Sequence, residues 1–305
     1  ALKHMFNAAF FVLLPNMKAE LLLSNTQVGA LSTIRNIAGG LSNLPAGFAA
    51  DRLSIRRAQI LGLALILVGF FSMTLGFAPN FGAALIAAAL LSIAITFWHP
   101  AAISTLSRVF ASRRGFAIAL HGTGGSIGEA LGPVLVGFIV GFVSWRTVLQ
   151  GSVVPGIACG LLVWMLLKPI PMGEGSAPSF AAYLRSMGRL LSNKRLLLIL
   201  LFAGGFAGGQ SAIITFLPVY LREDMRVSSF ALGLYLALAN VGGIVSQPIM
   251  GHLSDRFGRK AVLVPSLTAL GVTSLGLYLA PPGFVFALVV LLMGVFLFPL
   301  MSILL

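Results

Sequence analysis

The chain has 305 residues, 58% hydrophobic and 9% charged, with a formal net charge of +13. Apolar stretches of about 20 residues, enough to cross a ~30 Å hydrocarbon core as a helix, recur along it, and a soluble domain of this size has no interior able to hide them. A single cysteine, Cys159, excludes a disulfide framework and a cysteine-based metal site.

In chain order, apolar runs set against charged or Pro- and Gly-rich breaks predict ten membrane helices. They are Leu2 to Met17, Thr26 to Ala50, Ala58 to Phe77, Phe81 to Leu106, Gly115 to Val143, Thr147 to Leu167, Leu196 to Leu221, Ser229 to Leu253, Ala261 to Ala280 and Pro282 to Leu305. No cleavable signal peptide is visible, and because Ala1 already stands at the start of an apolar helix, further residues are expected before it. The longest break, Lys168 to Arg195, reads as a flexible linker followed by a basic amphipathic helix, Phe180 to Leu191, lying on the membrane surface.

The breaks alternate in charge. One side receives Lys3, Arg52, Arg56, Arg57, Arg108, Arg113, Arg114, Lys168, Arg185, Arg189, Lys194, Arg195, Arg256, Arg259 and Lys260, and the other only Lys18, Arg146, Arg222 and Arg226. The positive-inside rule makes the richer side cytoplasmic, so a multi-pass protein of a bacterial inner membrane is expected, N-terminus inside and odd helices running outward. Cations spread over short loops beside anionic headgroups explain the net charge, and nucleic acid is set aside as a partner.

An internal repeat organises the ten helices. "GFAADRLSIRR" (Gly47 to Arg57) matches "GHLSDRFGRK" (Gly251 to Lys260), with Gly47, Asp51 and Arg52 aligning with Gly251, Asp255 and Arg256 at an offset of 204. The same offset pairs Gly29 with Gly233, Asn36 with Asn240 and Gly39 with Gly243, while Pro15 matches Pro218 one residue off. The predicted fold is therefore an all-α membrane protein of two six-helix bundles related by a pseudo-two-fold axis along the membrane normal. Residues 1–167 form the first bundle, 168–195 the linker and 196–305 the first four helices of the second. A complete second unit would continue for roughly 65 residues past Leu305 and add two helices. Helices ending at Gly47 or Gly251 can approach a neighbour closely, and Asp51 or Asp255 can cap the adjoining helix or pair with cations.

These features resemble the major facilitator superfamily, whose signature between the second and third helices of each half is Gly-x-x-x-Asp-Arg-x-Gly-Arg-Lys. The second copy matches through Gly258, Arg259 and Lys260; the first has Ser54 and Ile55 where Gly and Arg are usual. More narrowly, "FWHPAAISTLSRVFASRRGFAIALHGTGGSIGEALGP" (Phe97 to Pro133) resembles the fosmidomycin-resistance group of drug exporters, with His99-Pro100 in helix four and Gly124 to Gly128 in helix five, Ser126 replacing an Asn. Gly128-x-x-x-Gly132-Pro133 resembles the superfamily motif of antiporters, where the fifth and eighth helices meet and seal one side of a cavity. The resemblance implies proton-coupled export of a drug or metabolite. It places gating on Gly47, Asp51, Arg52, Arg56, Gly251, Asp255, Arg256, Arg259, Lys260, Gly128, Gly132 and Pro133, and it favours His99.

The residues give their own account of helix five. His121, Gly125, Gly128 and Gly132 fall at i, i+4, i+7 and i+11, a stripe against which another backbone can pack, and Pro133 loosens the helix above it. Glu129 stands in the same helix, where an unpaired charge costs about 2.5–3.5 kcal/mol on insertion scales. It must face water or a partner, or take up a proton, which makes it a candidate proton carrier; a helix-to-helix hydrogen bond is the alternative.

Arg35 is the one Arg in the middle of a span, roughly 24 Å along the helix from Asp51, suited to an anionic substrate or to pairing with Glu129. His99 and His121 can titrate near neutral pH, although His121 stands close enough to the inner end to be simply wet. His4 and Asn7, with Asn36, Gln210 and Asn240, offer polar groups to a cavity whose walls Trp98, Phe10, Phe11 and Phe216 can supply. No phosphate-binding loop, metal-ligand spacing or hydrolytic triad is present, so no cofactor, metal or enzymatic activity is expected. The expectation is a monomeric secondary transporter, surrounded by lipid, moving a small molecule against protons by alternating access, with anion uptake or a non-transporting sensor as alternatives.

Overall fold

The apolar runs fold as helices because lipid offers backbone N–H and C=O groups no partner, leaving each segment to satisfy its own. A computed structural model describes residues 1–53, 56–168, 179–300 and 303. Among them are α1 (Leu2–Glu20), α2 (Asn25–Arg52), α3 (Arg57–Gly76), α4 (Phe81–Val109), α5 (Arg114–Ile139), α6 (Trp145–Gly151), α7 (Val153–Leu167), α8 (Phe180–Leu191), α9 (Lys194–Glu223), α10 (Ser229–Phe257), α11 (Arg259–Leu279) and α12 (Phe284–Leu297). By length and composition alone, six stretches among the described residues suffice to cross a membrane: α3, α4, α6 with α7, α9, α10 and α11. The sequences of α1, α2 and α5 are diluted by glycines, amides and charges, and α12 has 14 residues.

Two predicted helices differ from expectation. The sixth is two pieces, α6 and α7, meeting at Ser152, because Pro155 has no N–H to offer the Gly151 carbonyl. The tenth is shorter than the run Pro282 to Leu305, and positions 301, 302, 304 and 305 lie outside the described residues. The segment Phe180–Leu191 is α8, its Phe180 ring meeting Phe48 of α2 with centroids 5.3 Å apart. Most of the linker before it, residues 169–178, lies outside the described part, as do Ser54 and Ile55.

The repeat is written into local structure. Ser24 caps α2 by accepting from the Gln27 N–H, and Ser228, 204 positions later, caps α10 by accepting from the Ala231 N–H. Just before each cap one residue takes the left-handed conformation, Leu22 at φ 52° and Arg226 at φ 54°, again 204 apart. These tight turns reverse the chain between α1 and α2 and between α9 and α10.

Within the first bundle α2 lies against α4, α3 against α4 and α7, and α1 against α5; in the second, α10 and α11 lie against α12. Close approach is bought with glycine: a Cβ on Gly62 would sit 2.7 Å from the Gly160 carbonyl oxygen and one on Gly69 3.0 Å from the Gly156 Cα, so α3 and α7 touch by their backbones. The bundles meet through α5 with α10, and through α1 and α2 with α9. Phe10, Leu13, Leu14 and Met17 of α1 are almost wholly buried there, while many large apolar side chains on the perimeter are exposed, as lipid contact requires.

Candidate functional site

Between the bundles lie two adjoining cavities of about 540 Å³ and 220 Å³, both bordered by Asn7 and Phe11 of α1 and by Gln210 and Ile214 of α9. The larger reaches Arg35 and Asn36 of α2, Ser92 of α4 and Ser211 of α9. The smaller reaches Glu129 and Pro133 of α5, Asn240 of α10 and the apolar Met293 and Phe298. Polar groups from both bundles thus face one chamber.

The glycines of α5 explain how its carboxylate finds a partner. A Cβ on Gly128 would lie 2.2 Å from the Ala1 carbonyl oxygen, one on Gly132 3.0 Å from the Met5 Cα, and one on Gly125 3.0 Å from His4 Nε2. Gly125, Gly128 and Gly132 of the stripe therefore pack on α1. The eighth spanning helix, α10, meets α5 from Pro133 onward, with Gly233 under the Pro133 carbonyl and Gly137 against Ser229. With α1 this close, His4 Nδ1 lies 2.7 Å from Glu129 Oε1.

Around that pair the structure gathers every titratable side chain singled out in helices one, four and five. Lys3 Nζ hydrogen-bonds to His99 Nε2. The His99 ring is 5.5 Å from His4 and 6.0 Å from His121, and His121 stacks at 6.5 Å on Trp98. His121 is half-buried, its Nε2 enclosed without a hydrogen-bond partner among the described residues, so it is not the water-bathed group its place near the helix end suggested. Lys3, grouped above with the headgroup cations, is instead 5% exposed inside the bundle. The reason is depth: Ala1 packs on Gly128, 14 residues into α5, which puts the start of α1 roughly 20 Å from the basic ends of the helices.

Arg35 does not pair with Glu129. Its Nη2 donates to Asn7 Oδ1 at 2.7 Å, its carbonyl accepts from Ser92 Oγ at 2.6 Å, and its guanidinium carbon lies 3.9 Å from the Phe10 ring centroid and 5.1 Å from that of Phe11. The buried cation and the carboxylate are each held by a different residue of α1, one turn apart.

The neutral amides take different parts. Asn36 Nδ2 donates to Ser211 Oγ at 2.7 Å, across the bundle boundary. Gln210 donates to the Leu297 carbonyl and Asn240 to the Leu236 carbonyl, both inside the second bundle. Beside Asn36, Thr215 donates to Ser32 at 2.6 Å, so α2 and α9 share a short ladder of hydroxyls. At the face away from the arginine-rich ends, Lys18 and Glu223 form a 2.5 Å ion pair between α1 and α9. Nearby, Glu20 accepts from both Trp145 and Arg146.

The two signature loops behave differently from expectation. The helices run on past Gly47 and Gly251 to Arg52 and Phe257, and the Cβ position of Gly251 opens onto space within 4 Å. Neither Asp51 nor Asp255 caps the next helix, whose N-cap positions are Arg56 and Gly258. Asp51, Arg52, Arg56, Asp255, Arg256, Arg259 and Lys260 are exposed, with Arg256 over the Phe257 ring at 5.3 Å. Gly258, at φ +87°, occupies backbone space that side-chain-bearing residues avoid, which is the physical need for glycine there. The cation that does turn inward is Arg57, wholly buried and donating from Nε to the Ala50 carbonyl.

Sequence reasoning passed over Lys3, Ser32, Ser211, Thr215 and Arg57. Spacing carried a signal for four of them. Ser32 with Asn36, and Ser211 with Thr215, are i,i+4 polar pairs on facing helices, and Lys3 shares a turn with His4 and Asn7. Nothing local separates Arg57 from Arg56.

An all-helical bundle in lipid, with buried ionisable groups around a chamber between two repeated units, has the build of a membrane transporter. The chain belongs to the Major Facilitator Superfamily, whose family model matches residues 1–305. It is 24% identical over 286 residues to the fosmidomycin resistance protein of Escherichia coli (strain K12), covering 91% of this chain and 68% of that protein. It is 27% identical over 246 residues to the multidrug resistance protein MdtG of Yersinia enterocolitica, covering 78% and 56%. A solved structure of a bacterial homologue of the human lysosomal transporter Spinster, inward-facing and occupied, superposes with a TM-score of 0.79 at 18% identity over 99% of this chain and 70% of that one. The chain thus spans between about half and two thirds of the length of these two curated relatives.

Proposed function

We propose that this protein is a proton-coupled secondary transporter that exports a small molecule across the cytoplasmic membrane by rocking two bundles about the central chamber. The observation that carries the reading is the His4–Glu129 pair: a titratable contact between α1 and α5, with Glu129 on the chamber wall and Lys3, His99 and His121 around it. Protonating Glu129 removes the negative charge from the chamber wall and weakens its charge-assisted bond to His4, while the glycine contacts keep α1 on α5. Proton uptake then biases which face of the chamber is open, while the hydroxyl ladder and the Lys18–Glu223 pair close the face opposite the arginine-rich ends.

The names of the two curated relatives, a fosmidomycin resistance protein and a multidrug resistance protein, favour export as the direction. The excess of cations at one set of helix ends supports a reading in which that face is the cytoplasmic one, in a bacterial inner membrane, and α1 runs outward from that side. Residues 1–167 and 196–305 serve as the two moving units, joined by 168–195, and the monomer is the working unit.

The test is flux in liposomes holding the full-length protein and a pH-sensitive dye. Addition of a transported compound releases protons across an imposed pH gradient in the wild type, and Glu129→Gln abolishes that proton movement while leaving substrate exchange in place. Unchanged proton movement in Glu129→Gln rejects the carboxylate as carrier. Proton movement in the direction of uptake replaces export with symport, and no flux with any compound replaces transport with sensing.

A further inference from the structure

Arg35 is a buried charge whose compensation is missing. It is 5% exposed, yet none of the three ion pairs among the described residues includes it. Its one side-chain hydrogen bond goes to the neutral amide of Asn7, and its Nε is enclosed with no partner. Glu129, the acid that lines the neighbouring cavity, is engaged by His4. Apart from that hydrogen bond, the guanidinium rests on the faces of Phe10 and Phe11, which leaves its charge without a counterion.

The arrangement suits a ligand that supplies the counterion. A guanidinium presents parallel N–H groups matched to two oxygens of a carboxylate or similar oxyanion, and in a low-dielectric chamber that contact gains what bulk water would screen. The cavity at Arg35 adds the hydroxyl and amide groups of Ser92, Asn36 and Gln210 and no carboxylate. The adjoining 220 Å³ space is walled by apolar side chains such as Phe11, Ile213, Leu236 and Met293. An anionic head and an apolar body therefore have separate, contiguous places.

We propose that the transported molecule is a small amphipathic anion whose oxyanion group seats on Arg35 and whose apolar body, of about the size of a fused aromatic ring pair, fills the adjoining space. This rests on the transport reading above and names its substrate class. A cationic amphiphile of the same size is disfavoured by the same uncompensated charge.

The discriminating change is Asn7→Asp, which keeps Arg35 and places a carboxylate of the protein where the amide oxygen now accepts from Nη2. Binding of 2-naphthoate and of its neutral analogue 2-naphthamide is measured by titration calorimetry on the full-length protein in nanodiscs. Wild type is expected to bind the naphthoate at least about tenfold more tightly than the amide. In Asn7→Asp the naphthoate loses about tenfold or more while the amide changes less than about twofold, and the protein melts at or above the wild-type temperature. Arg35→Gln gives the same selective loss, and retained naphthamide binding shows that it has folded. Equal binding of the two probes to wild type, or an Asn7→Asp variant that weakens both probes alike or neither, overturns the proposal. Proton-coupled flux that persists without anion preference removes this inference alone, whereas anion preference without flux removes the transport reading alone.

Discussion

At the scale of single residues, the site is built by α1 offering a different polar side chain at each step of one turn. Lys3 meets His99, His4 meets Glu129 and Asn7 meets Arg35, so three helices are tied to α1 by three contacts of different charge type. In a low-dielectric interior each such contact matters chiefly because its loss strands a buried partner. Lys3→Met is expected to leave His99 Nε2 unsatisfied and to lower stability by about 1–3 kcal/mol, read as a fall in the thermal unfolding midpoint of the full-length protein. Lys3→Arg, which restores a donor, is expected to recover most of that loss, and equal melting of Lys3→Met and wild type would show the contact to be idle.

At the scale of elements, the glycines of α5 sort by what faces them. The Cβ position of Gly128 collides with the Ala1 backbone, whereas that of Gly122, less than two turns away, meets nothing within 4 Å. Gly128→Val is therefore expected to push α1 off α5, to cost about 1–3 kcal/mol or more through overpacking, and to break the His4–Glu129 contact. Gly122→Ala is expected to be neutral or to stabilise by roughly 0.5–1 kcal/mol, because it only relieves the entropic weakness of glycine in a helix. Comparing the two variants by thermal unfolding and by proton-coupled flux checks both halves of the expectation. Similar behaviour would mean that α1 and α5 are not held by close backbone approach.

At the scale of the whole molecule, the contacts that cross between bundles decide which face of the chamber is shut. The Lys18–Glu223 pair is partly exposed, with side chains 12% and 43% accessible, so screening limits it to about 0–1 kcal/mol. Glu223→Lys is expected to raise the population open on that face by up to about fivefold. The charge swap Lys18→Glu with Glu223→Lys is expected to restore the original balance. Distances between spin labels placed on the two bundles measure it, and a double variant no closer to wild type than the single one would show that the pair carries no conformational bias.

The sequence by itself determined the architecture, because the constraints that set it are local and repeated. Each apolar run must close its own hydrogen bonds in lipid, and the 204-residue offset reappears in the Ser24 and Ser228 caps and in the turns at Leu22 and Arg226. It also named most of the polar residues that line the chamber, since an ionisable group in a span is conspicuous by its cost. Only the tertiary structure decided who meets whom. Helical spacing shows that Glu129 and Arg35 turn toward other helices, but their partners His4 and Asn7 stand 125 and 28 residues away and are fixed by the depth at which α1 seats on the α5 glycines. The same packing took Lys3 out of the headgroup region, and a separate contact, with the Ala50 carbonyl of α2, holds Arg57 buried while Arg56 stays exposed. Charge type is a property of the residue, whereas its counterpart depends on the register of two helices that no stretch of sequence contains together.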